Sequence, residues 1–333
     1  MKAFLLHKYS KNGSLSLTDV SAPQVKDNDI LVEIHAAAVN LLDSKIKIGE
    51  FKLILPYKFP LTLGHDLAGV VTKVGRNVKK FKAGDEVYAR AADFNIGTFA
   101  EFIAIDEKDA ALKPKNISME EAASLPLVAL TAWQALVERA QLKQGQKVFI
   151  QAGSGGVGTV AIQLAKHLGA TVATTASAKS ADFLTALGAD LIIDYKNSDF
   201  ESRLNNFDVV LNSQDQKTLE KSLRILKPGG KLVSISGPPT PDFAKEIGAP
   251  WFIKFILTLL SAGIRKKAKN REVDYSFLFM KASGEQLSKI GALVESGVIK
   301  PVVDKIYSFE KTNEALAYVE SGRAKGKVVI KIK

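Results

Sequence analysis

The stretch KVFIQAGSGGVGTVAIQLAKHLGA, residues 147–170, constrains the fold of this chain more than any other. Gly153, Gly155 and Gly158 stand at G-x-G-x-x-G spacing, between a β-branched apolar run and a segment whose apolar residues recur at helical three-and-four spacing. The spacing alone is a weak signal, because glycine-rich turns between strand and helix are common. Inside a strand–turn–helix unit of about 30 residues it has a mechanism. The first glycine permits the tight turn, the second lets backbone approach a pyrophosphate, and the third lets the helix pack on the strand. The free N–H groups of the first helical turn then face the phosphates. The expectation is a dinucleotide-binding βαβ unit.

The following sequence repeats that texture. ATVATTA, DLIIDY, FDVVLNS and GKLVSISG read as strands, and helical stretches such as SADFLTALG separate the first of them. Continuous apolar strands are those covered on both faces, so these belong to a parallel, doubly wound α/β sheet. YSFLFM, residues 275–280, is the natural sixth strand. The region before Pro114 reads differently. ILVEIHAAAV, DLAGVVTKVG, GDEVYAR and GTFAEFIAI are short runs punctuated by glycine, the pattern of a compact, mostly antiparallel β-barrel. Near the end, PVVDKIYSF and KGKVVIKIK are strands again, and their pattern suits either domain.

Which dinucleotide is bound depends on the end of the second strand. About 20 residues after the glycines an NAD-binding unit carries Asp or Glu on the ribose hydroxyls. Here the chain reads TTASAKS, with Ser177 and Lys179 and no acid before Asp182. A carboxylate would repel a 2′-phosphate, whereas a hydroxyl and an ammonium bind it, so NADPH is the expected cofactor. The formal net charge of +11 agrees with an anionic ligand. Five of those positive charges lie in RKKAKNR, residues 265–271, directly after the apolar run 251–264. That run is interrupted by Lys254 and is shorter than the roughly 20 residues of a membrane span. It reads as a covering helix with a solvated end, or as a helix lying on an anionic membrane; no aromatic residues interleave the basic cluster, so no nucleic-acid partner is expected. MKAFLLHKYSKNG lacks the apolar core of a signal peptide, and a cytoplasmic protein is expected. With no cysteine in 333 residues, thiolate metal sites are excluded, and His65 beside Asp66 is the one local pair that invites a metal.

Together, AAAVNLLDSKIKIG, GHDLAGVVTKVG, FKAGDEVYA, EAASLPLVALTAW, AGSGGVGTVAIQLAK, LGADLIIDY and SGRAKGKVVI resemble the medium-chain dehydrogenase/reductase superfamily over the whole chain. The likeness is to its zinc-free quinone and enone reductases. The resemblance implies a GroES-like catalytic domain from residues 1–121 and 298–333, and a Rossmann domain from 122–297. It implies a homodimer joined through the edge of the Rossmann sheet, where YSFLFM lies. It places Gly155, Gly156 and Val157 on the pyrophosphate, and Ser177, Lys179 and Tyr195 around the 2′-phosphate. Thr131, Asn212, Gly237, Leu278 and Arg323 fall along the ribose and nicotinamide. Asn40, Asp43 and Lys45 match the segment lining the nicotinamide, with Lys45 polarising a substrate carbonyl.

The implied activity is hydride transfer from NADPH to an α,β-unsaturated carbonyl or a quinone, without a metal. In zinc-dependent relatives cysteines stand where this chain has Asn40 and, nearby, Val128, so His65 alone keeps a ligand position and no metal is expected. Gly64 and Gly69 beside it are better explained by a turn and by close packing in the barrel. The competing class is an NADPH-binding protein without catalysis, because fold does not prove activity.

Overall fold

The computed structural model describes all residues, 1–333. The chain separates into two compact units, Met1–Leu130 with Lys281–Lys333, and Thr131–Met280.

The second unit is a six-stranded parallel sheet. Its strands are β1 (Lys147–Ile150), β2 (Thr171–Ala176), β3 (Leu191–Asp194), β4 (Phe207–Asn212), β5 (Leu226–Ser234) and β6 (Asp274–Phe277). They lie in the order β3-β2-β1-β4-β5-β6. This is the dinucleotide-binding order, with the ligand crevice at the carboxyl ends where the winding reverses between β1 and β4. The helices are α1 (Gly156–His167), α2 (Ala181–Ala186), α3 (Gln216–Ile225), α4 (Pro241–Glu246) and α5 (Trp251–Lys269). Every residue of β4 is buried, as a strand covered on both faces must be. The sixth strand begins at Asp274 and stops at Phe277, so Leu278 lies just past its end instead of within it. The backbone N–H of Leu278 still bonds Ser234 O, 2.8 Å away.

The first unit holds a seven-stranded sheet built on the long strand Asp29–Val39, which pairs antiparallel with Asp66–Val74 and with Phe102–Asp106. Ile30, Val32 and Ile34 point inward on alternate positions and are fully buried. The strand pair Val303–Ser308 and Lys327–Lys331 joins this sheet, with Val328 opposite Val39. The tertiary structure therefore resolves what their pattern left open. Gly64 has φ +102°, a conformation that side-chain-bearing residues rarely adopt, and a Cβ on Gly69 would come 2.0 Å from Glu33 O. Both glycines serve the turn and the close packing that the sequence suggested.

The helix Gly284–Glu295 packs on this unit so closely that a Cβ at Gly284 would lie 2.0 Å from Ala110 O. Beneath it Asp109 is 3% exposed. Burial pushes its carboxyl up to about 6, with Lys108 and Arg90 opposing and Asp106 and Asp93 adding to the rise. A carboxyl raised in the folded state favours folding below its unfolded value, and that contribution is lost as pH rises through about 6. Asp109→Asn is therefore expected to be more stable than the parent at pH 8 by about 1–2 kcal/mol, with the gap closing by about pH 4. Denaturant unfolding at the two pH values measures it, and a gap that does not change with pH would refute the assignment.

Candidate cofactor and active site

The phosphate loop leaves β1 through Gln151 and Ala152. Ala152 takes a positive φ of 50° and Gly153 N bonds Thr175 O, 2.9 Å away, which aims the chain into α1. A Cβ on Gly153 would strike Thr174 Oγ1 at 2.2 Å, and one on Gly158 would lie 2.5 Å from Ala152 O. These two glycines are required by packing. Gly155 is the N-cap of α1 and provides no side-chain cap, so the first-turn N–H groups beginning with Gly156 and Val157 are available to an anion. Gly155, Gly156 and Val157 are all partly exposed. The cradle fits a pyrophosphate.

At the ends of β2 and β3 the structure brings together residues 18 positions apart in the chain. Ala176 pairs with Asp194, and Tyr195 N bonds Ala176 O at 3.3 Å. Ser177, which follows β2, and Tyr195, which follows β3, are thus neighbours. Lys179 is exposed one turn on, and Tyr195 is 61% exposed. Lys196 is a further exposed cation at this corner. The carboxylate of Asp194 is engaged with Lys196 N and the Asn197 amide.

At the β1/β4 switch Asn212 is fully buried. Its amide donates to Gln151 Oε1 at 2.7 Å, and its carbonyl oxygen accepts from Ser234 Oγ at 2.6 Å and Ser236 Oγ at 3.2 Å. Asn212 thus ties the ends of β1, β4 and β5 together and supports the crevice from behind. Gln151 was not legible in the sequence as part of this tie. Ser234 Oγ also accepts Gly237 N at 2.8 Å, and a Cβ at Gly237 would press on Tyr275 Oη at 2.7 Å, which holds that turn against the sheet. Thr131 is buried within the helix Pro126–Trp133.

In the first unit, Asn40 and Asp43 open the helix Leu41–Lys47 and are buried. Asp43 accepts Asn40 N at 2.7 Å and the Nδ1–H of His65 at 2.5 Å. Asn40 donates to Asp66 Oδ2 at 2.9 Å and accepts from Lys327 Nζ. Lys327, 5% exposed, also donates to Val39 O at 3.1 Å and Asp66 Oδ2 at 3.3 Å, while Asp66 Oδ1 accepts Leu127 N at 2.8 Å. Burial raises the Asp66 carboxyl above its ordinary value, with Lys327, Asn40 and the Leu127 N–H pulling the other way. Sequence reasoning named Asn40 and Asp43 but missed Lys327, the first residue of the strand Lys327–Lys331.

Lys45 is not part of this network. Its ammonium sits 2.8 Å from Glu50 Oε1 and 5.9 Å from the centre of the Phe51 ring, with its side chain 34% exposed. Arg323 is exposed in the turn between the helix Thr312–Glu320 and the strand Lys327–Lys331. Arg90 is 1% exposed and bonds Asp93 through Nη2 at 2.5 Å, leaving Nε and Nη1 without partners. His65 Nε2 is likewise buried and unpartnered. The donors around His65 do not suit zinc. Asp66 is neutralised by Lys327, and no three His, Cys, Asp or Glu side chains converge anywhere in the chain to hold a metal.

An alcohol dehydrogenase GroES-like domain matches residues 26–115, and a zinc-binding dehydrogenase domain matches residues 187–330. The chain is 40% identical over 341 aligned positions to 2-methylene-furan-3-one reductase of Solanum lycopersicum, covering 99% of this chain and 79% of that protein. It is 36% identical, with the same coverage, to the chloroplastic NADPH-dependent alkenal/one oxidoreductase of Arabidopsis thaliana. The solved quinone oxidoreductase of Coxiella burnetii superposes with a TM-score of 0.87 at 31% identity, covering 100% of this chain and 99% of that one. A barrel unit and a dinucleotide-binding unit with these motifs define an oxidoreductase that uses a nicotinamide cofactor. The chain belongs to the medium-chain dehydrogenase/reductase superfamily, in its quinone and alkenal/one oxidoreductase branch. Since the Arabidopsis relative is chloroplastic, membership does not carry a cytoplasmic location with it.

Proposed function

We propose that the chain transfers hydride from NADPH to the electron-poor carbon of an α,β-unsaturated carbonyl, or to a quinone, without a metal. The observation that carries the reading is the corner beyond β2 and β3 where Ser177 and Tyr195 are neighbours, with Lys179 exposed two residues on and no carboxylate at the end of β2. A 2′-phosphate would find a hydroxyl and an ammonium there. Gly155, Gly156 and Val157 are assigned to the pyrophosphate, and Thr131, Gly237, Leu278 and Arg323 to the ribose and nicotinamide.

When bound, the cofactor supplies the hydride, and the side chains manage the charge that results. Negative charge develops on the substrate oxygen, and a preorganised cation beside it lowers the barrier. Lys45 is assigned that role. Its partner Glu50 is itself 46% exposed, and such pairs are worth only about 0–1 kcal/mol, so a substrate oxyanion can take over the ammonium. Asp43 and Asn40 act as positioning residues, anchoring the start of the helix that carries Lys45. The proton that completes the reduction comes from water. A homodimer belongs to the same reading, supported by β6 as an unpaired sheet edge that would otherwise template aggregation.

The test is loss of reduced-cofactor absorbance with NADPH and a panel of enones, enals and quinones. Turnover is expected on at least one class, and Lys45→Met is expected to lower kcat/KM about ten-fold or more with the KM for NADPH unchanged. Tight NADPH binding without turnover on any of them would leave a non-catalytic binding protein.

A further inference from the structure

Helix α5 turns an apolar face to solvent. Leu257, Ser261, Ile264 and Ala268 form its inward stripe. On the opposite side Phe252, Phe255, Ile256 and Leu259, related by helical three-and-four spacing, are 45–61% exposed, with Trp251 at 81% and Leu260 at 62%. Exposed apolar residues scattered singly are normal on a protein surface, but six large ones along three turns of one helix are not. The C-terminal turns of the same helix carry Lys266 and Lys269, both exposed, and Arg271 follows. Lys267 is paired with Glu220 at 2.6 Å, and Arg265 folds back onto Ser261 Oγ and Thr258 O. No acidic residue occurs from 251 to 271. α5 is nonetheless not a spanning helix, since no helix of the protein is long and apolar enough to cross a membrane.

We propose that α5 docks the protein on an anionic phospholipid surface, lying in the plane of the interface. Trp251, Phe252, Phe255, Ile256 and Leu259 would enter the acyl boundary while Lys266, Lys269 and Arg271 meet lipid phosphates. An aromatic and aliphatic face joined to a cationic end is the composition that binds anionic bilayers. A second copy of the chain is the poorer occupant. In an antiparallel two-fold pairing the cationic end of each helix would lie over the apolar start of the other, and in a parallel one over the other's cations, and neither helix carries a carboxylate to meet them. The proposal is independent of the hydride-transfer reading.

The experiment is co-sedimentation of the full chain with vesicles of phosphatidylcholine containing about one-third phosphatidylglycerol, at low and high salt, beside vesicles of phosphatidylcholine alone. Binding is expected to the anionic vesicles at low salt, with a blue shift of Trp251 emission, and to fall at high salt or without the anionic lipid. Phe255→Glu with Leu259→Glu, and separately Lys266→Glu with Lys269→Glu, are each expected to reduce the bound fraction about ten-fold. NADPH turnover of a water-soluble substrate should be unchanged in both. Parent protein that stays in the supernatant with every vesicle overturns the proposal. So does a Phe255→Glu, Leu259→Glu variant that binds vesicles as before but sediments as a monomer where the parent sediments as a dimer, which would make this face a subunit contact.

Discussion

Lys327→Met is expected to lower the stability of the barrel unit by roughly 3–5 kcal/mol, the loss typical of removing one partner from a buried ion pair. The substitution keeps much of the side chain's volume and removes the charge from a site where Asp66 is fully buried. Asn40 Oδ1 and Val39 O lose their donor at the same time. The loss is also expected to depend on pH. Burial already raises the Asp66 carboxyl, and Lys327 opposes that rise, so its removal raises the carboxyl further. A raised carboxyl favours the folded state below its unfolded value and loses that contribution as pH climbs through its folded value. The variant should therefore fall further behind the parent at pH 8 than at pH 5. Denaturant unfolding of both proteins at both pH values measures this. A deficit under about 1 kcal/mol at pH 8 would mean that the network is not held by its charges.

Lys179→Glu is expected to move cofactor preference toward NADH by about 100-fold in the ratio of kcat/KM values, the scale of one lost charge-assisted hydrogen bond plus a new repulsion. Lys179 is exposed, so stability should barely change, which separates this effect from misfolding. Replacing Ser177 as well by alanine should deepen the swing, because the two residues share the corner beyond β2. Initial rates with each cofactor, on whichever substrate class is turned over, provide the measurement. An unchanged ratio would place the 2′-phosphate elsewhere or make the site indifferent to it.

Much of the local geometry of the candidate nucleotide site was legible because its signals are local. Gly153, Gly155 and Gly158 act within one turn, and the steric need for Gly153 and Gly158 is met by atoms of the adjacent loop and strand. Ser177 and Lys179 follow directly from the end of β2. Asn212 was found as a position, but its interior place was not, since that depends on Gln151 and Ser234 arriving from other strands. The segment proposed to line the substrate shows the same limit more sharply. Asn40, Asp43 and Lys45 read as one lining group, yet the two residues from 43 to 45 are about half a helical turn, enough to send Asp43 inward to His65 and Lys45 outward to Glu50.

The sequence by itself determined the doubly wound unit, its phosphate loop, the missing acid after β2 and the lack of a thiolate metal site, because periodicity, turn chemistry and residue type act between near neighbours. Only the tertiary structure decided that the last strands complete the barrel sheet and that Lys327 closes on an aspartate 261 residues earlier. It also decided that the apolar run of 251–264 faces outward along one side. A buried lysine and an exposed phenylalanine look the same in a sequence as their ordinary counterparts. What distinguishes them is which distant surface packs against them, and that is settled by the fold.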